Sequence, residues 1–181
     1  MRILPIDELN ILKGEYGESG TPITDFALED IIEDLLDIFL LAMARGVLSV
    51  NEQFGTEYKP SAVQVEKTIY EKIDGVTWED RVRTWYENGG TTADVIRIAE
   101  TESHRIGNEA AYTAAKEVGA TRKTWLTMLD DRVRDTHAYL EGVTVGINDY
   151  FYSYKGGQTL YPGQWGIAEE DCGCRCEIAY T

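Results

Sequence analysis

Cysteine, proline and histidine are scarce in this chain, with 3, 4 and 2 copies among 181 residues. The cysteines crowd into the segment from Cys172 to Cys176, and an odd, clustered set is not the disulfide framework of a secreted domain. Long apolar runs are also missing, since Ile38 to Ala44 falls far short of the roughly 20 residues that span a bilayer. Residues 1–20 hold no apolar block of a secretory signal. We therefore expect a protein made in the cytoplasm, with no membrane partner.

Basic residues are outnumbered, with 17 against 32 acids and a net charge of −15. Residues 1–60 contribute most to this charge, with 12 acids against 4 bases. A protein that binds duplex DNA tightly needs a surplus of Lys and Arg to displace counterions from the phosphates. One local exception, called the basic cluster below, comprises Arg122, Lys123, Arg132 and Arg134. DNA is therefore expected to bind weakly at most.

The first half of the chain is patterned for helices. Apolar residues from Leu28 to Met43 recur every three or four positions, which predicts a helix capped by Thr24 or Asp25 and ending near Gly46. Its opposite face is acidic and is interpreted as a solvated surface.

Three further helices are predicted from capping patterns. Ser61 to Gln64 opens a helix expected to end at Gly75, and Thr77 with Asp80 caps a shorter one. From Thr91 or Thr92 a long pattern runs to Gly119 and predicts the central helix of the molecule.

Beyond Gly119 the periodicity changes to alternation, which is typical of strands. Residues 143–147 and 150–154 alternate in this way, and the Cys-Arg-Cys segment is expected to be a closing strand. The predicted fold class is α+β. An acidic helical segment (1–60) and a region with the long central helix (61–120) precede a C-terminal lobe (121–181) of short antiparallel strands plus a short helix.

The most informative stretch runs from Glu102 to Cys176. Its conspicuous residues are Glu102, Arg105, Asn108, Trp125, Asp130, Arg132, Arg134, His137, Gly142, Pro162, Cys174, Arg175 and Cys176. In order and spacing this set resembles the phage Mu protein F-like family of head-morphogenesis proteins. The hallmarks of that family are a Trp, a D-x-R-V-R-x-x-H-x-x-L-x-G block, a Pro-Gly turn and a terminal C-R-C. The resemblance covers roughly residues 65–178, although Gly173 stands where many relatives have Asn, and Cys172 is an additional thiol.

The resemblance implies a minor head protein of a tailed bacteriophage, made in the bacterial host cytoplasm and built into the virion, in the head interior or at the portal vertex. The implied partners are the portal or connector protein, the scaffold and the major capsid protein, with an effect on DNA packaging or ejection. It implies a structural protein rather than an enzyme, and no cofactor is expected.

Three chemical readings of the motif residues remain open. In the first, Asp130 and Arg134 form a hydrogen-bonded ion pair, because they lie on one face of either a helix or a strand. In the second, His137 with Cys172, Cys174 and Cys176 binds zinc, although C-x-C-x-C spacing is crowded for three ligands. We expect three free thiols and no metal.

The third reading is enzymatic and has His137 act as a general acid or base of a nuclease or transferase. A Gly-rich phosphate loop, a nucleophile elbow and an H-E-x-x-H motif are all missing from the sequence. The chain is therefore expected to have no catalytic residue.

Overall fold

The computed structural model describes residues 12–14, 16–17 and 20–181. These residues form an α+β fold, as predicted. In chain order the elements used below are α1 (Leu28–Phe54), α2 (Ala62–Ile69), α3 (Trp78–Glu87), α4 (Thr92–Glu117), β1 (Arg122–Leu126), α5 (Asp135–Ala138), β2 (Thr144–Gly146), β3 (Phe151–Tyr152), β4 (Gln158–Thr159), α6 (Ala168–Asp171) and β5 (Glu177–Tyr180).

The helices α1 and α4 pack against each other more extensively than any other pair of elements in the described part of the chain. At their crossing, a Cβ added to Gly46 would lie only 2.2 Å from the backbone oxygen of Gly107. The prediction that α1 ends near Gly46 is wrong, because this glycine allows a close helix contact rather than a stop. The helix continues to Phe54 and is closed by Gly55, whose φ is 65°.

The expected N-cap of α1 is also wrong. Thr24 and Asp25 lie in a 3₁₀ turn spanning Ile23–Asp25, and the residue before the helix is Ala27, which makes no side-chain capping bond.

Capping residues do define the starts of the next helices. Reciprocal capping boxes join Ser61 to Gln64 at α2 and Thr77 to Asp80 at α3, as predicted. The helix α2 ends at Ile69 rather than Gly75, because Ile73 and Val76 exchange backbone hydrogen bonds of 3.0 and 3.2 Å in a tight turn.

The central helix α4 was predicted almost to its ends. Thr91 and Asp94 cap it, and Gly119, with φ of 90°, follows its last turn. Its buried side chains belong to the main apolar core, to which α1, α3 and β5 also contribute. The proposed boundaries at residues 60 and 120 remain a prediction.

The C-terminal lobe contains a three-stranded antiparallel sheet in the order β2-β1-β5 and a hairpin of β3 with β4. The predicted strand through residues 150–154 is shorter than expected, because a turn in which the N–H of Ser153 donates to the oxygen of Gly157 leads the chain back into β4. A second core of Trp125, Leu140, Phe151, Trp165 and the two cysteines 174 and 176 lies here.

The Cys-Arg-Cys segment is not the closing strand. Cys174 is still held by a turn, in which its N–H donates to the oxygen of Asp171 at 3.1 Å, and Gly173 has φ of 67°. Ladder pairing therefore starts only at Glu177, opposite Leu126. Among the described residues, no helix combines the length and the apolar composition needed to cross a membrane.

Candidate functional site

The motif residues gather mainly around two buried clusters of polar side chains. The Arg105 cluster consists of Glu71, Glu102, Arg105 and Glu109, and the His137 cluster consists of His137, Glu170, Cys174 and Cys176. The first joins helices of the N-terminal half, whereas the second lies in the C-terminal lobe.

The guanidinium of Arg105 is only 2% exposed and is surrounded by acceptors. Its Nε donates to Glu102 at 2.8 Å, and its Nη1 donates to Glu71 at 2.9 Å and to Glu109 at 2.8 Å. Its Nη2 donates to the backbone oxygen of Thr68 at 3.0 Å. Burial raises the pKa of Glu109 to about 7, and the negative charge of neighbouring Glu71 is the second-largest cause of this rise. The cluster therefore contains more carboxyl groups than cations, and Arg105 is the charge that holds them together.

Further contacts extend the Arg105 cluster to neighbouring elements. Arg81 of α3 forms an ion pair of 2.9 Å with Glu102. The Pro162–Gly163 turn lies directly on α4, since Gly163 has φ of 88° and a Cβ there would come within 3.0 Å of the Cα of Arg105. The Pro-Gly motif is thus explained by a backbone approach that leaves no room for a side chain.

Three other motif residues are structural. The amide of Asn108 donates to the backbone oxygen of His104 at 2.9 Å. Trp125 is fully buried, with ring centroids 5.1 Å from Phe151 and 5.6 Å from His137. Gly142 has φ of 72° and its N–H donates to the oxygen of Trp125 at 2.9 Å. Asn108 thus bonds within α4, whereas the bond between Gly142 and Trp125 joins β1 to the turn after α5.

The His137 cluster brings two thiols and a carboxylate to one imidazole. His137 Nδ1 lies 3.6 Å from the Sγ of Cys174 and 3.5 Å from that of Cys176. Its Nε2 lies 3.1 Å from Oε2 of Glu170, within ion-pair distance but not aligned as a hydrogen bond. The hydroxyl of Thr136 donates to the same carboxylate oxygen at 2.7 Å. All five side chains are buried.

The two thiols differ in acidity because they are hydrogen-bonded to each other. That bond is the largest cause that raises the pKa of Cys174, and burial raises it further. Interactions with His104 and His137 act in the opposite direction. The same bond lowers the pKa of Cys176. None of the three cysteines forms a disulfide. Cys172 is half-buried and lies outside the cluster, so the structure unites three of the four candidate zinc ligands.

The predicted ion pair of Asp130 with Arg134 is wrong. Asp130 is instead held by Arg175 in a bidentate pair, with Nη2 to Oδ1 at 2.7 Å and Nη1 to Oδ2 at 2.8 Å. Arg134 donates through Nη2 to the backbone oxygen of Cys172. Both arginines therefore clamp the cysteine segment to the residues that precede α5.

The physical reason is that residues 130–134 form a turn and not a helix. The N–H of Val133 donates to the oxygen of Asp130 at 3.1 Å, and α5 starts only at Asp135. Arg132 is exposed, and its backbone N–H donates to Oδ1 of Asp130 at 3.1 Å.

Sequence reasoning missed Glu71, Glu109 and Glu170. Glu109 could have been found, because it lies four positions after Arg105 on a predicted helix. Glu71 and Glu170 come from other elements, and no spacing in the sequence indicates their partners.

The basic cluster is smaller than the sequence suggested, because Lys123 points into the protein. Its side chain is fully buried, with Nζ 4.7 Å from the ring centroid of Tyr112 and 5.4 Å from that of Phe151. Its Nζ has no hydrogen-bond partner. Burial lowers the pKa of Lys123 to about 8, although nearby Asp149 acts in the opposite direction. Lys123 is therefore not a phosphate-binding group.

Replacing Lys123 with Met is expected to raise the free energy of unfolding at pH 7 by about 1 to 2 kcal/mol, because a buried cation is removed. The folded pKa of about 8 lies below the unfolded value. The gain should thus be largest below pH 8 and should vanish as pH rises to the unfolded pKa of about 10.4. Urea unfolding across this range measures it, with exposed Arg122→Met as the control. A loss of stability at pH 7 would contradict the argument.

Little open space adjoins the His137 cluster. The concavity that reaches His137 offers about 10 Å³, room for about one water molecule. A groove of about 660 Å³ lies between α1 and residues 56–60 and shares no residue with either cluster. His137 thus lies in a packed interior, whereas Glu71 and Glu109 of the Arg105 cluster line a concavity of about 280 Å³ beside Tyr112 and Tyr161.

Residues 53–179 match the family model described as Phage Mu protein F like protein. Because the match covers well over half of the chain, this protein belongs to that family, which confirms the resemblance given by the motifs.

Two curated relatives share parts of the chain. It is 40% identical over 168 residues to Minor head protein GP7 of Bacillus phage SPP1, which covers 88% of this chain and 46% of the relative. It is 34% identical over 94 residues to NAD(+)--arginine ADP-ribosyltransferase EFV of Enterococcus faecalis (strain ATCC 700802 / V583), which covers 50% of this chain and 19% of the relative. The chain thus spans less than half the length of these relatives. No solved structure matches it significantly.

Proposed function

We propose that this protein is a minor head protein of a tailed bacteriophage and acts in head morphogenesis. The observation that carries the proposal is the 40% identity over 168 residues to Minor head protein GP7. Membership in the Mu F-like family supports it independently. The role is that of an assembled structural component of the virion, in the head interior or at the portal vertex.

The interior of the motif region favours binding over catalysis. In the Arg105 cluster the polar groups of Arg105 are occupied by neighbouring side chains and one backbone oxygen. In the His137 cluster both ring nitrogens of His137 face protein groups, and the adjoining concavity holds about 10 Å³. A general base needs a substrate proton within hydrogen-bond reach, and the concavity at His137 has room for no more than about one water molecule.

The alternative that this chain is an enzyme can be tested directly, because one relative is named an ADP-ribosyltransferase. The matched segment is only 19% of that relative, so the match does not assign its activity to this chain. Incubation with NAD⁺ and an arginine substrate should release no nicotinamide above the level of buffer alone. Turnover that His137→Ala or Glu109→Gln abolishes in a folded protein would replace the structural proposal.

The direct experiment is mass spectrometry of purified heads and tails from the phage or prophage that encodes this chain. The protein should co-purify with heads, and deletion of its gene should lower the yield of infectious particles while tails remain intact. Recovery only in the unassembled fraction, with normal particles after deletion, would contradict the proposal.

The partners proposed are the portal or connector protein, the scaffold and the major capsid protein. Support comes from the 40% identity to Minor head protein GP7 and from the net charge of −15, which disfavours binding to phosphates. Cross-linking of intact heads followed by peptide mapping distinguishes these partners, since each would give its own set of linked peptides.

Binding to free duplex DNA is expected to be weak and to fall steeply with salt. The net charge is −15 and Lys123 is buried, so the basic cluster retains only Arg122, Arg132 and Arg134. A titration at physiological salt measures the affinity. Submicromolar binding would show that the attraction of these arginines for the phosphates exceeds the repulsion by the net negative charge of the protein.

A further inference from the structure

The His137 cluster has the dimensions of a tetrahedral metal site. With Zn–S bonds of about 2.3 Å and Zn–N bonds of about 2.0 Å, each N···S edge of a tetrahedron is about 3.6 Å long. The observed edges from His137 Nδ1 are 3.6 Å to Cys174 Sγ and 3.5 Å to Cys176 Sγ. The three ligand atoms all lie within 4.8 Å of one another. A single ion at the centre could thus contact all three without a backbone movement.

Glu170 adds an independent feature of metal sites. A histidine that binds a metal through one ring nitrogen usually presents the other to a carboxylate, which fixes the ring and its tautomer. Here Nδ1 faces the two sulfurs, and Nε2 lies 3.1 Å from Glu170, which Thr136 in turn holds by a hydrogen bond of 2.7 Å. With the ring proton on Nε2, beside this carboxylate, the lone pair of Nδ1 would face the two sulfurs, as a metal ligand requires.

The surroundings suit a structural ion. His137 stacks on Trp165 at 5.9 Å between ring centroids and meets the edge of Trp125 at 5.6 Å. Cys174 and Cys176 belong to the same apolar core. A ligand set of thiolates and imidazole, closed off from solvent, is typical of structural zinc rather than of a catalytic ion with an open position.

The crowding that argues against a three-cysteine site does not apply. Only Cys174 and Cys176 face His137, whereas Cys172 lies before the bend at Gly173 and offers its backbone oxygen to Arg134. The fourth ligand of a tetrahedral ion is therefore a group other than Cys172.

We propose that His137, Cys174 and Cys176 bind one Zn²⁺. The ion joins the short helix α5 to the segment before β5. The proposed site leaves out Cys172 and differs from the expectation, drawn from the sequence, of three free thiols without metal.

The test uses untagged protein purified without chelator. Zinc content by mass spectrometry should be close to one ion per chain in the wild type. After removal of the ion, titration with Co²⁺ should give the visible and thiolate charge-transfer bands of a tetrahedral site, saturating at one equivalent. Neither measurement needs a variant, so misfolding cannot confuse them. A wild type with only trace zinc and no cobalt–thiolate band overturns the proposal.

Variants then assign the ligands. Cys172→Ser is the matched control, a neighbouring thiol that should keep full metal content, whereas Cys174→Ser and His137→Ala should lose it. Glu170→Gln should weaken binding by about 10- to 100-fold, the usual effect of losing the carboxylate behind a ligand histidine. Loss of metal in Cys172→Ser would show that the assignment of the thiols is wrong.

Discussion

Replacing Arg105 with Ala is expected to lower the free energy of unfolding by about 3 to 5 kcal/mol, because it leaves buried carboxylates without their cation. Glu102 and Glu109 both lie in the protein interior and face Arg105 at 2.8 Å. Glu109, whose pKa is already raised to about 7, would then be protonated more readily. The part of the deficit that is due to Glu109 should therefore shrink as pH falls from the variant's still higher pKa to about 7, and stay level below that. Urea unfolding at pH 5 and pH 8 measures both effects.

Two further variants separate this explanation from simple loss of volume. Arg83→Ala removes an arginine that also pairs with two glutamates, Glu79 and Glu29, but on the surface, and should change the free energy of unfolding far less than Arg105→Ala. Combining Arg105→Ala with Glu109→Gln should recover part of the loss, since one unpaired carboxylate disappears. Strictly additive effects would mean that the two side chains do not interact.

Local signals in the sequence were sufficient for much of the helical half. Capping boxes at Ser61, Thr77 and Thr91 involve residues three positions apart, so each is visible in a short window. The same holds for the pairing of Arg105 with Glu102 and Glu109, which follows from helical spacing. These features were open to prediction because their partners are neighbours in the chain.

Contacts between distant segments explain the errors. Asp130 pairs with Arg175, 45 positions later, and a choice between Arg134 and Arg175 cannot be made from spacing. Lys123 was counted as a surface charge, although the alternation of β1 turns it inward beside Trp125. The sequence groups His137 with three cysteines, but only Cys174 and Cys176 lie beside it, because the chain turns at Gly173 after Cys172.

The role of Gly46 also depends on a distant segment of the chain, so the pattern around it does not reveal that role. In a helical pattern glycine is an ordinary stop signal, and only the presence of α4 gives it another meaning. The backbone oxygen of Gly107 occupies the space where a side chain would be. Small residues at such a crossing let two helix backbones approach closely, so the glycine is required by the partner helix.

Gly46→Ala is therefore expected to destabilise the protein by about 2 to 3 kcal/mol, despite the better helix propensity of Ala, because α1 and α4 must move apart. The atom in the way is the backbone oxygen of Gly107, 2.2 Å from the added Cβ, which no side-chain rotation can move aside. Thermal or urea unfolding measures the loss. A control is Gly14→Ala, at a glycine with helical backbone and no atom of the described residues within 4 Å of an added Cβ, which should be neutral or stabilising by about 0.5 kcal/mol. Equal effects at both sites would show that α1 and α4 do not depend on close contact at Gly46.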